Sequence, residues 1–519
     1  MGRRSNYSNG LYDDYEKILV ENKDLKAENK KLALATSIAE DEQRRLEKIV
    51  DKKECQIIEL ENENKKLQKE LERLKAIQNN DGTTSGIPTS MTPIGKKKVI
   101  PNSAKNTGGK IGRCKGHKKD KLEKVSDDKI DEHIKHELKE CPSCKKCDLV
   151  PTGKVITKDV KDYKIIVYNT RHEYIEYKCN CCGKNSHEII PNHLKEECQY
   201  GSNLKSLILT LTNVGNVPFN KQRRIISGLT MEEINPCEGY LAKLQKQVSK
   251  KLDSFLEELR CAILKSKIVY WDDTVISINK NQSCMRYYGN ENISLFRAHE
   301  KKNKEGLDKD NILKLLSSNT IVEHDHNKVN YNDEYSFINA ECCQHLLRDL
   351  KKVEMNLTNR TWSKDAIDLF EEYDHKRNEL LSQNIDTFTS DEINEFILKL
   401  DQALLKGLEE NKNDSKPYYA KKEKTLIYRI MEYRDNYIYW ILDFDIPFTN
   451  NLSERNLRGI KSKMKVSGQF QNVERASDYA SIRSYIETCR IYGVNEYECL
   501  TRLVEDNPYT FVELQALKK

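Results

Sequence analysis

Two adjacent carboxylates, Asp272 and Asp273, stand in the middle of an apolar, β-rich run, Ile-Val-Tyr-Trp-Asp-Asp-Thr-Val-Ile-Ser-Ile over 268–278. Burying a carboxylate is costly unless a cation compensates it, so this pair marks a place where a metal or another positive charge is expected. Successive residues of a strand face opposite sides, so regular geometry gives only one of the two to any one site. A further acid, Asp325, stands in His324-Asp325-His326 at the end of a short strand over 320–323. Another, Glu454, stands in Asn450-Asn451-Leu-Ser453-Glu454-Arg455-Asn-Leu457-Arg458. Ser453 or an adjacent Asn can cap a helix there, which puts Glu454 in its first turn and Arg458 one turn on, with Lys461, Lys463 and Lys465 following. An acid among so many bases suits a place where metal and phosphate meet. Taken alone, Glu454 and Arg458 are also an ordinary i,i+4 surface pair.

A second chemistry is carried by cysteine. Cys141-Pro-Ser-Cys144 and Cys179-Asn-Cys-Cys182 are two knuckles separated by about 34 residues, and each turns tightly enough to aim both sulfurs at one zinc ion. The expected ligands are Cys141, Cys144, Cys179 and Cys182, with Cys147 and Cys181 competing for the same role. The 16 cysteines are far too sparse for a disulfide scaffold and point to a reducing compartment.

The elements that must position these groups follow from periodicity and composition. One heptad register holds from Ile18 to Leu74, with Leu25, Leu32, Leu46, Leu60 and Leu67 among its d positions and Asn22, Asn29 and Asn64 among its a positions. Buried Asn at a lowers stability and fixes register in a two-stranded coil, so 11–78 is expected to dimerise. Residues 79–125 lose all periodicity and form a linker. Between Lys96 and Lys121 ten basic residues face one acid, among them Lys96, Lys97, Lys98, Arg113 and Lys115, with His117 in the same stretch. Such a run suits phosphate backbones, though a merely solvated charge run has the same composition. Residues 126–195 are the zinc-binding module, with a strand over 163–177, and 196–264 form a helical region. Lys221-Gln-Arg-Arg224 there suits a DNA contact or any small helical core equally. Strands at 268–278, 293–299, 320–323 and 335–339, with helices at 308–316 and 341–350, give way to helix alone over 362–445.

Composition sets outer limits. A length of 519 residues suggests three or four folded units, and 88 basic against 82 acidic residues leave a net charge of only +6, so basic function must come from local clusters. Gly and Pro are scarce, at 21 and 11, which favours long helices. No stretch approaches the roughly 18 apolar residues that span a bilayer, and the N-terminus lacks a signal-peptide core, so a cytoplasmic protein with no membrane partner is expected.

Taken together, the motifs resemble those of bacterial and archaeal DDE transposases of the insertion sequence 66 family, over nearly the whole chain. The matches are Gly112-Arg-Cys-Lys-Gly116-His117, Trp271-Asp272-Asp273-Thr274, Cys342-Cys-Gln-His345-x-x-Arg348, Asn450-Asn451-x-x-Glu454-Arg455-x-Leu457-Arg458, and the closing stretch 484–500. The resemblance implies an α/β multidomain protein: N-terminal coiled coil, small zinc-binding module, helical DNA-binding region, an RNase H-like mixed-sheet core over 265–488 with a helical insertion at about 355–445, and a C-terminal segment over 489–519. It implies catalytic acids Asp272, Asp325 and Glu454 holding two Mg²⁺ or Mn²⁺ ions beside a structural Zn²⁺, with Arg455, Arg458 and Lys461 contacting DNA. Asp273 stands where the family has Glu and is read as a neighbour of the site. Asp325-His326 departs from the family's usual Asp-Gly. Cys342 and His345, at i and i+3, can form half a metal site or simply pack beside the acids; packing is the expectation, because two further ligands are not evident in the sequence. The implied activity is cleavage of inverted-repeat element ends and transfer of the 3′-OH to target DNA by a nucleoid-associated homodimer. The alternative is a catalytically impaired, zinc-containing DNA-binding protein descended from such an enzyme.

Overall fold

The computed structural model describes residues 6–79, 122–147, 149–191, 194, 196–357, 359–412 and 417–518. The expected basic linker, with Lys96, Lys97, Lys98, Arg113, Lys115 and His117, lies outside them. By contacts the chain divides into two units: 1–99 with 351–363 and 405–428, and 100–350 with 364–404 and 429–519.

In the first unit, the heptad region is one helix, α1 (Asn6–Asn79). Its d residues Ile18, Leu25, Leu32, Leu46, Leu60 and Leu67 are all more than half exposed on the single chain. The remainder of this unit is built on a buried ion pair. Glu423 accepts from Arg360 Nε at 2.7 Å, Trp362 Nε1 at 2.8 Å and Asn411 Nδ2 at 2.6 Å. Its charge is thereby solvated entirely by protein groups.

The second unit begins with the two cysteine knuckles. The second lies between β1 (Tyr177–Lys178) and β2 (Asn185–Ser186), which pair antiparallel. The longer strand expected over 163–177 is confined to its last residue and Lys178; Tyr163, Ile166 and Tyr168 are exposed. Four helices follow: α2 (Ser202–Asn213), α3 (Phe219–Leu229), α4 (Glu238–Ser249) and α5 (Asp253–Ile263). They bury residues at helical spacing, such as Leu241, Leu244 and Val248, or Phe255, Leu259 and Ile263.

The sheet then forms from β3 (Ile268–Ile278), β4 (Asn281–Asn290), β5 (Ile293–His299), β6 (Ile321–His324) and β7 (Ile338–Glu341), in the order β5-β4-β3-β6-β7. The first three are an antiparallel meander. Asn279 and Lys280, both left-handed at φ 47° and 67°, make the two-residue turn between β3 and β4. The twist of such a turn suits a hairpin. β6 and β7 then join parallel to β3. β4 has no alternation to announce it because both its faces are covered. Even Arg286 is fully buried, paired with Asp310 at 3.2 Å. Between β5 and β6 the helix expected over 308–316 is broken into α6 (Lys304–Lys309) and a single turn at Leu313–Leu315, with left-handed Asn311 (φ 52°) interrupting it. β7 starts three residues later than expected, since Tyr335 and Phe337 enter the core from a loop.

After β7 come α7 (Cys343–Asn356), α8 (Trp362–Ser382), α9 (Ser390–Asn411), α10 (Pro417–Glu432) and α11 (Arg434–Leu442), the purely helical stretch the sequence anticipates. The chain returns to the sheet with α12 (Asn451–Ser467) and α13 (Val473–Ile491), and ends in α14 (Glu496–Val504) and α15 (Phe511–Leu517). Leu457 and Ile460 of α12 pack with Ile276, Met285, Tyr287 and Phe296 of the sheet, and with Tyr479 of α13. Leu457→Ala is expected to cost about 2–5 kcal/mol in denaturant unfolding, because it opens a cavity under α12. A loss below about 0.5 kcal/mol, the scale of a surface substitution, would mean that the helix is not held by this contact.

Candidate active site

The parallel register of β3 with β6 pairs Ile268 with Ile321, Val269 with Val322 and Tyr270 with Glu323. Carried on by two residues, it brings Asp325, just past the end of β6, beside Asp272. Tyr270, Asp272 and Ile276 share the sheet face that α12 covers, by the two-residue period of the strand. Asp273 therefore points to the opposite face, where its carboxylate meets Lys302 Nζ at 2.5 Å. It is ion-paired there and takes no part in the acid cluster.

Burial and then the charges of Asp325 and Asp273 hold the Asp272 carboxyl well above the usual carboxylate range. The amide of Asp273, donating to Asp272 Oδ1 at 2.7 Å, and the Lys461 ammonium act the other way. The site is thus short of positive charge. Glu454 enters from the first turn of α12, where the helix dipole favours an acid. Its Oε1 lies 3.3 Å from Arg348 Nη1 and 3.7 Å from His345 Nε2. On the other edge of the same imidazole, His345 Nδ1 lies 2.8 Å from Asp325 Oδ1. The two atoms are not aligned for a hydrogen bond, so Asp325 Oδ1 and His345 Nδ1 both remain buried without a hydrogen-bond partner. Arg348 of α7 is therefore the cation beside Glu454, and the His345 ring stands between Asp325 and Glu454.

Asn450 locks these elements together. Fully buried, it donates from Nδ2 to the carbonyl of Trp271 at 3.0 Å, one residue before Asp272. Its backbone N–H donates to Cys342 Sγ at 3.2 Å, and Ser453 Oγ donates to its Oδ1. The expected capping of α12 is thereby corrected: Asn450 holds the N-cap position, yet its side chain satisfies the sheet and makes no cap bond. At the other end of α12, Phe470 pairs through its backbone with Ser277 and Asn279. β3 and α12 are strapped at both ends, so Asp272 and Glu454 cannot drift apart independently.

Cys342, at the end of β7, is buried and its thiol is pushed well above its ordinary range by burial, then by Glu323 and Asp325. Cys342 and His345 do pack beside the acids, as expected, and a third group joins them. Asp325, Cys342 and His345 place one ligand atom each within 4.8 Å of one another, and Asp325 is the further ligand that sequence spacing does not reveal. Sequence reading also missed Asn450 as a brace and Lys302 as the partner of Asp273; nothing in their local sequence signals either role. His326, the departure from the resembling pattern, turns towards Glu341, with Nδ1 2.8 Å from its Oε1, and packs tilted against Tyr331 and edge-on against Tyr433. Its backbone is outside the left-handed region, so glycine is not required there.

Arg455, Arg458 and Lys461 lie along α12, and all three are exposed. Arg458 and Lys461 fall at i+4 and i+7 from Glu454, on its face of the helix. Arg458 Nη2 lies 3.9 Å from Glu454 Oε2. The two cysteine knuckles share one backbone design: Lys145 N–H donates to the Cys141 carbonyl and Gly183 N–H to that of Cys179, both at 2.8 Å and both from left-handed residues. Backbone amides, first those of Cys144 and Cys182, lower the pKa of Cys141 and Cys179 respectively. Among the described residues, three ligating groups within 4.8 Å of one another occur at Asp325, Cys342 and His345.

No helix among the described residues is long and apolar enough to cross a membrane. Residues 197–478 match the family model described as Transposase IS66 family. No curated protein and no solved structure matches the chain.

The raised pKa of Asp272 has a defined sign. Its folded value exceeds its unfolded value, so without divalent ions ionisation of this group removes stability as pH rises from about 4 upward. Asp272→Asn is expected to melt higher than the wild type at neutral pH in chelator, by roughly 2 °C or more for each kcal/mol relieved, with the difference shrinking towards about pH 4. A lower melting temperature at neutral pH would refute the charge conflict.

Proposed function

Since the chain belongs to the IS66 transposase family, we propose that it is a DNA transposase, cutting the ends of its element and joining them to target DNA at Asp272, Asp325 and Glu454. What supports this reading is that the β3–β6 register sets Asp325 beside Asp272 and that one imidazole, His345, lies 2.8 Å from Asp325 and 3.7 Å from Glu454. The strand order, antiparallel across β5, β4 and β3 and parallel across β6 and β7, supports an RNase H-like core.

The donors suit hard divalent cations. The three carboxylates would hold two magnesium or manganese ions, which would supply Lewis acidity for in-line displacement at phosphorus. The chain's own residues do the rest. Arg458 and Lys461, on the Glu454 face of α12, with Arg455 beside them, hold the phosphate backbone. Arg348 and His345 keep Glu454 turned towards the Asp pair, and the Asn450 brace keeps β3 and α12 in step. With water as nucleophile the phosphodiester is cut to leave a 3′-OH; with that 3′-OH as nucleophile the same site joins strands, and neither step needs a covalent protein intermediate. The four cysteines Cys141, Cys144, Cys179 and Cys182 would hold a structural zinc ion, for which their low-lying first thiols are suited. The exposed apolar seam of α1 would be covered by a second copy, pairing two element ends in the bacterial or archaeal nucleoid. Retention of the acids, with His326 accommodated by Glu341, favours an active enzyme over an impaired DNA-binding derivative.

Cleavage of a labelled element-end duplex in Mg²⁺ is expected to fall at least about 100-fold in Asp272→Asn and in Glu454→Gln, the scale for removing one preorganised electrostatic group. Retained cleavage in both would refute the site. Arg458→Ala and Lys461→Ala are each expected to weaken DNA binding whatever its sequence and to lower the slope of log K against log salt by about 1. An unchanged slope in both would remove them from the phosphate track.

A further inference from the structure

The acid cluster contains a sulfur that phosphodiester chemistry on hard cations does not call for. Cys342 is 1% exposed, and its sulfur faces the carboxylate of Asp325 and the imidazole of His345, with the three ligand atoms within 4.8 Å of one another. Oxygen, sulfur and nitrogen on one centre suit a borderline or soft ion and not magnesium, which prefers oxygen alone. Two further observations point to an absent cation. Asp325 Oδ1 and His345 Nδ1 lie 2.8 Å apart yet lack hydrogen-bond partners. Each therefore has a lone pair or proton that nothing in the protein satisfies. The Asn450 amide donates to Cys342 Sγ, a contact that stabilises a thiolate once one forms.

We propose that Asp325, Cys342 and His345 form a binding site for one thiophilic divalent ion of the zinc or cobalt type. The site rests on the placement of Asp325 in the proposed catalytic triad and adds to it. Asp325 presents one carboxylate oxygen to this ion and keeps the other for the cation shared with Asp272, so it bridges a soft position and a hard one. Binding forms the metal–sulfur and metal–nitrogen bonds and releases the thiol proton to solvent. Two donors on one tetrahedral ion sit about 3.4 Å apart when each bond is about 2.1 Å, so the Asp325–His345 pair has to open by a few tenths of an ångström. His345 Nε2 accepts from Arg348 Nη1 at 3.2 Å, which leaves the ring proton on Nδ1. Metal binding at Nδ1 moves that proton to Nε2, where Glu454 Oε1, 3.7 Å away, is the carboxylate that can take it. The ion would therefore also set the orientation of the third acid.

The test uses full-length protein, stripped with chelator and titrated with Co²⁺ under reducing conditions. Cobalt reports thiolate ligation by a charge-transfer absorption. Cys342→Ser is expected to bind one equivalent fewer and to lose part of that absorption, His345→Gln to bind one equivalent fewer, and excess Mg²⁺ to displace neither signal in the wild type. Circular dichroism and thermal melting establish that the variants fold. A separate variant with Cys141, Cys144, Cys179 and Cys182 all replaced by Ser removes the knuckles, and it is expected to retain a cobalt–thiolate band from Cys342. Folded Cys342→Ser and His345→Gln with wild-type stoichiometry and spectrum, or no thiolate band in the knuckle variant, would overturn the proposal and leave an ion pair between Asp325 and His345. Asp272→Asn separates the two readings: it should lose cleavage while keeping this cobalt site. If cleavage survives in Asp272→Asn while Cys342→Ser still loses its cobalt, the transposase site fails and the soft site stands.

Discussion

Two carboxylates forced side by side on neighbouring parallel strands are the constraint around which this core is arranged. The register of β3 with β6 sets Asp325 beside Asp272, whose burial weakens the screening of its charge by water. Ordinary folding would avoid such a pair, since Asp325 raises the cost of ionising Asp272. Positive charge has to be brought to the face, and the fold does this from two directions. α7 contributes Arg348, and α12 contributes Lys461. These groups moderate the conflict without removing it, which leaves room for cations of higher charge density.

The same constraint explains why α12 is tied down so firmly. Glu454 must reach the Asp pair from a helix that is separated in sequence from β3 and β6 by the whole helical stretch α8 to α11. Side-chain packing of Leu457 and Ile460 alone would permit sliding along the sheet, because apolar contact is not directional. Hydrogen bonds are directional, and they appear at both ends: Asn450 on the carbonyl of Trp271, and Phe470 on the backbone of Ser277 and Asn279. A buried Asn commits its polar groups to the sheet because the carbonyl of Trp271 would otherwise be orphaned.

Asp273 shows how local sequence misleads about a site. Next to Asp272 in the chain, it is on the other side of the sheet, where Lys302 neutralises it. His326 is a comparable case. A histidine beside a buried acid cluster invites a chemical role, yet it is held by Glu341 in an aromatic patch with Tyr331 and Tyr433. Cys342 is the opposite case, a residue that sequence assigns to packing and that the fold delivers to the acids.

Much of this was legible in the residues. The α1 helix followed from a seven-residue apolar period, β3 and β5 from β-branched and aromatic runs, and the helical stretch α8 to α11 from its spacing, because these patterns record which face each element must bury. Asp272 stood out because a charge in an apolar strand carries a cost that has to be met. The rest depended on contacts between residues far apart in sequence. β4 was hidden because a strand covered on both faces loses alternation, and the break in the helix before β6 turned on one left-handed asparagine. Sequence could name Asp325, Cys342 and His345 separately, but their spacing within 4.8 Å arises only when β6 and β7 pair in parallel and α7 starts at the end of β7. Residue types determined which chemistries were available to this protein, since charge, softness and hydrogen-bonding capacity belong to the side chain itself. Tertiary structure decided which of them act together, since strand register and helix docking fix distances that no local pattern encodes.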